Sequence, residues 1–270
     1  MILVNGAAED KIAVTDRGLA YGDGVYRTLA VSGGHPQCWQ RHFDKLSDDC
    51  RRLNIPPPPE RLLRDEVEQV ARNRENGVVK IIVTRGQGER GYVLPVHAQA
   101  SRIVIGSAVP GYPPGNARDG IKARLCELRL SDQPRLAGIK HLNRLENVLA
   151  RAEWNDPSVA EGLLLDQRGN LAEGVSSNLF LVRGGILVTP ELSRCGVAGV
   201  TRERICAWAL DTGMPCEIRD VALDELWRAD EVMVCNSLIG IWQIREIGAK
   251  TWGAGACSPQ IRKFLAESHV

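Results

Sequence analysis

No apolar stretch in this chain of 270 residues approaches the roughly 20 residues that span a bilayer, so no membrane-crossing helix is expected. Met1-Ile2-Leu3-Val4 is too short for a signal peptide and runs straight into Asn5-Gly6, a hairpin turn signal. Cysteine is present but unpatterned. The eight thiols (38, 50, 126, 195, 206, 216, 235 and 257) form no C-x-x-C and no Cys/His pair at zinc-ligand spacing, so no structural metal is expected. They are expected to be reduced and mostly buried, as in a cytoplasmic protein. An excess of one charge is also missing: 34 basic against 33 acidic residues leave a net +1, and neither a nucleic-acid nor a membrane surface is expected. Neither G-x-x-x-x-G-K nor a strand-to-helix G-x-G-x-x-G is found, which leaves nucleotide folds without their signature. G-x-S-x-G is absent and there are only five histidines; the one beside a nucleophile, His269 after Ser268, lies in the tail, so a serine-hydrolase reading fails. Lysine is scarce, seven residues against 27 arginines.

What is present describes an α/β chain. Apolar residues make up 44%, enough for a sizeable core in one large or two modest domains. Ile2-Leu3-Val4 and 11–14 flank a turn and read as a hairpin; 28–31 and 36–39 around Gly33-Gly34 read as a second. Phe43, Leu46, Cys50 and Leu53 have helical spacing over 41–53, and Pro56-Pro57-Pro58-Pro59 ends that helix before another over 60–74. Strands are expected over 78–84, 102–109 and 121–128, a helix over 143–154, and a meander of short strands over 163–166, 179–182 and 186–188. A helix over 201–211, strands over 231–235 and 241–245, and a last helix over 258–267 complete the chain. The Pro/Gly-rich stretch around 111–117 is the best linker, so we expect an N-terminal α/β lobe over 1–110 and a strand-rich lobe over 118–270.

Four segments could carry chemistry. Lys140 is framed by Ile139 and Leu142; desolvation there would make its amine nucleophilic, although a solvated lysine ahead of a helix is the commoner case. Arg85-Gly86-Gln87-Gly88-Glu89-Arg90-Gly91-Tyr92 combines guanidinium, ring and glycine as an anion-recognising loop would, or is a plain surface loop. Glu173, among small residues before an apolar strand, could pair with a protonated ring nitrogen or cap a turn. Gly196-Val197-Ala198-Gly199-Val200-Thr201 opens a helix, as a phosphate cradle or a simple N-cap. Gly22-Asp23-Gly24 reads equally well as a tight turn.

Together these runs resemble the fold-type IV pyridoxal-phosphate enzymes, the class-IV aminotransferase family. Within it, Thr84-Arg85-Gly86-Gln87-Gly88-Glu89-Arg90-Gly91-Tyr92 and Leu136-Ala137-Gly138-Ile139-Lys140-His141-Leu142-Asn143-Arg144-Leu145-Glu146 are most similar to the aminodeoxychorismate lyase branch. The resemblance implies a C-terminal pseudo-barrel lobe carrying the cofactor lysine, and pyridoxal 5'-phosphate as cofactor. Lys140 is implied as the Schiff-base lysine, Glu173 as the carboxylate on the pyridinium nitrogen, and Val200, Thr201 and Asn236 as phosphate contacts. Lys45 stands where relatives usually carry a phosphate-binding arginine, and would act as a point donor rather than a fork. Tyr26, Arg27, Arg90 and Tyr92 fall in segments that face substrate, and Thr28 could assist Lys140 in proton return. The implied reaction is elimination from 4-amino-4-deoxychorismate to 4-aminobenzoate and pyruvate, in a homodimer whose neighbouring subunit completes the site, downstream of an aminodeoxychorismate synthase. The alternatives are a D-amino-acid or branched-chain aminotransferase on the same scaffold, or a non-catalytic cofactor-binding relative.

Overall fold

The computed structural model describes residues 1–267; the last three residues of the expected C-terminal lobe, with the Ser268-His269 tail, lie outside it. The chain forms two compact units: Met1–Pro110 with Lys140–Asn143, and Gly111–Ile139 with the residues from Arg144 onward. Lys140 thus clusters with the first unit rather than with the C-terminal lobe on which it was expected. The stretch anticipated as a linker belongs to the second unit and enters a short helix, Gly115–Asp119.

The first unit contains β1 (Ile2–Val4), α1 (Arg17–Tyr21), β2 (Gly24–Ser32), β3 (His35–Pro36), α2 (Trp39–Arg52), α3 (Glu60–Ala71), β4 (Asn76–Thr84) and β5 (Ser101–Ser107). Its five-stranded sheet has the order β1-β5-β4-β2-β3. Along β2, Val25, Arg27, Leu29 and Val31 are buried, whereas Tyr26, Thr28 and Ala30 are only half-buried. That period of two gives the strand one closed and one open face. Helix α2 packs against β2, and α3 against β4 and β5. Gly33 and Gly34 both have positive φ (57° and 79°), the backbone that a two-residue turn between twisted strands requires. The hairpin expected between β1 and 11–14 does not form. Instead β1 pairs antiparallel with β5, Leu3 opposite Val104. Leu3 and Val104 are both buried, whereas 11–14 is exposed, so the distant strand offers the apolar face that the near one lacks.

The second unit contains α4 (Gly115–Asp119), β6 (Ile121–Leu130), α5 (Leu145–Arg151), β7 (Val159–Asp166), β8 (Asn170–Gly174), β9 (Asn178–Arg183), β10 (Ile186–Pro190) and α6 (Val200–Asp211). It continues with β11 (Cys216–Arg219), β12 (Val221–Ala222), α7 (Leu223–Arg228), β13 (Glu231–Asn236), β14 (Gly240–Ile247), β15 (Lys250–Thr251) and α8 (Cys257–Glu267). Its ten-stranded sheet runs β11-β10-β9-β13-β14-β6-β7-β8-β12, with β15 on β14, and curls until β12 meets β10. The expected meander is therefore two hairpins, β7-β8 and β9-β10, separated in the sheet.

Both faces of this sheet are covered. On β9, Leu179 and Leu181 enter one apolar cluster with Val232, Val234 and Ile244, while Phe180 enters another with Met233, Ile205 and Ile261. A strand buried on both sides shows no polar alternation, which explains the unbroken Leu179-Phe180-Leu181-Val182 run. All eight cysteines are free, six of them buried. Among the described residues no helix is long and apolar enough to cross a membrane.

Candidate active site

Lys140 is held by its main chain at the open edge of β2. Its carbonyl accepts from Tyr26 N (2.9 Å), Leu142 N donates to the Gly24 carbonyl (2.9 Å), and His141 bridges antiparallel to Val25. The opposite edge of β2 pairs with β4, and β3 reaches only Val31 and Ser32, so the strand's beginning is left for the lysine segment. Gly24 permits this approach: a Cβ there would meet Val83 O at 2.6 Å and Leu142 Cδ1 at 2.8 Å. The Lys140 ammonium then lies over the Tyr26 ring, 4.7 Å from its centroid, on the half-buried face that also carries Thr28.

The reverse side of the same strand holds a charged knot. Asp49 of α2 is fully buried. Its carboxylate accepts from the Arg27 guanidinium, from Lys45 Nζ (2.5 Å) and from the Lys140 main-chain N–H (3.1 Å). Burial pulls the Arg27 pKa below its ordinary value, and the Asp49 charge opposes that pull. Arg27, expected to face substrate, is thereby corrected to the helix-covered side, because position 27 has the parity of Val25 and Leu29. Lys45, expected to meet a phosphate, has its ammonium on Asp49. Nothing in the motifs pointed to Asp49, although its i,i+4 spacing from Lys45 on a helix was a usable signal.

The glycine-rich loop after β4 is divided in its roles. Arg85 is buried and structural: it donates to Asp23 (2.7 and 2.9 Å) and to the Asn54 and Leu53 carbonyls (2.6 and 2.8 Å). Arg17 joins it on Asp23 at 2.9 Å. Arg90 and Tyr92 are exposed; the Tyr92 ring packs 5.4 Å from Tyr21, whose hydroxyl accepts from Gly91 N.

In the second unit Glu173 lies within β8 and is 3% exposed, so of its two readings the turn cap does not describe it. The strand escaped notice because Gly174 and two serines follow it and hide its periodicity. Glu173 Oε2 accepts from Val197 N (2.8 Å). The 196–199 loop is fixed on both sides. Gly138 N donates to Gly196 O (2.9 Å), Ala198 N to Gly138 O (3.1 Å), and Asn178 donates to Val197 O (2.7 Å) while accepting from Gly199 N (3.2 Å). That loop delivers the start of α6, where Val200 and Thr201 are buried and no side chain caps the leading amides. Uncapped amides at a helix start, with the Thr201 hydroxyl 3.5 Å from Ser237 Oγ, suit a phosphate. A buried carboxylate suits a protonated pyridine nitrogen, so the donor set fits pyridoxal phosphate. Asn236 uses its side chain internally, donating to Ser176 O (3.1 Å) and accepting from Leu238 N and Ile239 N (2.8 and 3.0 Å).

Glu161, also missed in the sequence, supports this turn. It is 4% exposed and accepts from Ser177 Oγ (2.7 Å), Ser176 Oγ (2.9 Å) and Gly162 N (2.9 Å). Burial pushes its pKa up, and these donors offset only part of that.

Residues 24–247 match the family described as amino-transferase class IV. The chain is 34% identical to an aminodeoxychorismate lyase of Vibrio harveyi over 92% of each chain. It is 30% identical to a putative branched-chain-amino-acid aminotransferase of Methanocaldococcus jannaschii, over 92% of this chain and 88% of that one. The crystal structure of 4-amino-4-deoxychorismate lyase from Pseudomonas aeruginosa is similar to it with a TM-score of 0.95 and 47% identity, covering 99% of this chain and 98% of that one.

Proposed function

Since the chain belongs to the amino-transferase class IV family, we propose that it is a pyridoxal-phosphate-dependent lyase that converts 4-amino-4-deoxychorismate to 4-aminobenzoate and pyruvate. The observation that carries this reading is Lys140, fixed by its main chain on the β2 edge with its ammonium over Tyr26, inside a run similar to the lyases. The 47% identity with the Pseudomonas lyase supports it along nearly the whole chain.

Pyridoxal 5'-phosphate, when bound, supplies the electron sink. Lys140 would hold it through Nζ, Glu173 would keep its ring nitrogen protonated, and the Val200 and Thr201 amides would take its phosphate. Asn236 belongs to this set by shaping the turn beside Ser237, and Lys45 by its charge. Once the substrate amine has taken its place, Lys140 Nζ removes the proton from the amine-bearing ring carbon. The bond from the neighbouring ring carbon to the enolpyruvyl oxygen breaks, its electrons leave with that oxygen, and the ring becomes aromatic. Lys140, with the Thr28 hydroxyl beside Tyr26 on the open face, returns a proton to the enolpyruvate methylene to give pyruvate. Tyr26 flanks the reacting amine, and Arg90 and Tyr92 belong to the same proposal as substrate-recognising groups.

A homodimer in the cytoplasm, fed by an aminodeoxychorismate synthase as pathway neighbour, completes the reading. The exposed apolar run Tyr92, Val93 and Val96 (84, 88 and 91%) supports a partner subunit, and the eight free thiols support a reducing compartment. The test is pyruvate release from 4-amino-4-deoxychorismate by the cofactor-loaded protein with no 2-oxo acid present. Pyruvate matched mole for mole by 4-aminobenzoate is expected. Turnover that requires a 2-oxo acid would transfer the assignment to an aminotransferase, the activity named for the Methanocaldococcus relative.

A further inference from the structure

Two of the eight cysteines differ from the rest. Six are buried, whereas Cys206 of α6 and Cys216 of β11 are half-buried, and these two meet. A tight return after α6 brings them together. Met214 N donates to Ala209 O (2.8 Å), Gly213 takes a positive φ of 71°, and Cys216 enters β11 opposite Leu187 of β10. Helix α6 packs against β11, and both cysteines rest on the apolar cluster that includes Leu187, Ile205 and Met233. The Cys216 thiol donates a hydrogen bond to the Cys206 sulfur. That bond holds the Cys206 thiol below its ordinary pKa; burial opposes it, the Arg202 guanidinium one helical turn earlier reinforces it, and Glu203 opposes it weakly. The same contact, with burial and the Glu217 charge, pushes Cys216 up, and Arg202 offsets only part of this. A half-exposed thiol beside a guanidinium, with a second thiol in contact, is the arrangement of a reactive cysteine and its resolving partner. The proposed cofactor and substrate groups use neither residue.

We propose that Cys206 and Cys216 form an oxidant-modified site, a dithiol that hydroperoxides convert into an intramolecular disulfide. The Cys206 thiolate attacks one peroxide oxygen and the O–O bond breaks. The departing oxygen takes up the proton that Cys206 released, and Cys206 becomes a sulfenic acid. The Cys216 sulfur then attacks the Cys206 sulfur, the S–O bond breaks, and hydroxide leaves with the Cys216 proton as water. Two electrons pass from the thiols to the peroxide, giving one disulfide, one water and one alcohol, or a second water when the oxidant is hydrogen peroxide. The resolving thiol already touches the reacting one, so the sulfenic acid is captured before it oxidises further. Cys206 lies five residues, about 7.5 Å of helix, beyond Thr201. The bond therefore fastens α6 to β11 away from the helix start that would hold the phosphate. In a reducing compartment such a pair stays open and closes only under peroxide.

The test treats the reduced, cofactor-loaded protein with hydrogen peroxide, blocks the remaining thiols in denaturant and maps the peptides by mass spectrometry. Loss of two of the eight thiols is expected, with a Cys206–Cys216 bridge within one chain that dithiothreitol reverses. Cys216→Ser is expected to lose a single thiol and to carry at Cys206 a sulfenic acid that dimedone traps. Cys206→Ser is expected to leave Cys216 unreacted, since its thiol is held protonated. Two intact thiols at 206 and 216, after an exposure that fully oxidises free glutathione, would overturn the proposal. So would a bridge to one of the six buried cysteines, a bridge between chains, or the loss of more than two thiols. Peroxide reactivity of Cys216 in Cys206→Ser equal to that of the wild-type pair would also overturn it.

Discussion

Around Lys140 the first unit works with paired charges, whereas the turn after Glu173 in the second unit is tied mainly by amides and hydroxyls. Asp49 gathers Arg27, Lys45 and the Lys140 main chain, and Asp23 gathers Arg17 and Arg85. Glu161 instead takes two serine hydroxyls and a glycine amide. The difference has a physical reason. The lysine segment is a short addition to a strand edge, with only two main-chain hydrogen bonds to that strand, and a charged acceptor strengthens its hold. The 196–199 loop is already tied to Gly138 and Asn178, so neutral donors are sufficient there. The units should therefore differ in how they fail.

The largest difference is expected at Asp49. Asp49→Ala leaves Arg27 buried without its counter-charge, and a loss of about 3–5 kcal/mol is expected in denaturant unfolding. Arg27→Met in the same chain should return much of that stability, since it removes the unpaired charge. If Asp49→Ala unfolds at the wild-type midpoint, the charged knot has no part in holding the lysine segment.

A smaller contrast concerns pH, where the two units should respond with opposite sign. Burial raises the Asp23 pKa, but Arg85 and Arg17 outweigh it and hold the carboxyl below its ordinary value. The unfolded chain then binds the proton more readily, so this contribution is present above the ordinary aspartate pKa and is lost as pH falls through the lowered one. Glu161 is pushed up by burial, so here the folded chain binds the proton more readily. Its contribution therefore declines as pH rises from the ordinary glutamate pKa through the raised one. Unfolding free energy measured against pH should lose its acid-side slope in Asp23→Asn and its opposing slope in Glu161→Gln. Equal slopes in both variants and the wild type would contradict the distinction.

The parts of the site legible in the sequence were those whose chemistry is local. The runs around Lys140, Glu173 and Thr201 carry their residues in contiguous motifs, and the 3–4 spacing of Phe43, Leu46, Cys50 and Leu53 revealed α2. Long-range pairing was not legible. The β1–β5 pairing depends on a strand about a hundred residues away, and β8 was masked by the glycine and serines that follow it. The side of Arg27 followed from strand parity only once Val25 and Leu29 were known to face α2. Asp49 was hidden for a related reason: it matters through neighbours on other segments, and residue type alone does not reveal that.

The most direct test of the account is to locate the cofactor among the seven lysines. Pyridoxal-phosphate-loaded protein would be reduced with borohydride, digested and mapped by mass spectrometry. The account predicts a reduced pyridoxyl group on Lys140 and on no other lysine, with no trapped cofactor in Lys140→Ala. A label on Lys45 or Lys80, or unchanged trapping in Lys140→Ala, would contradict it.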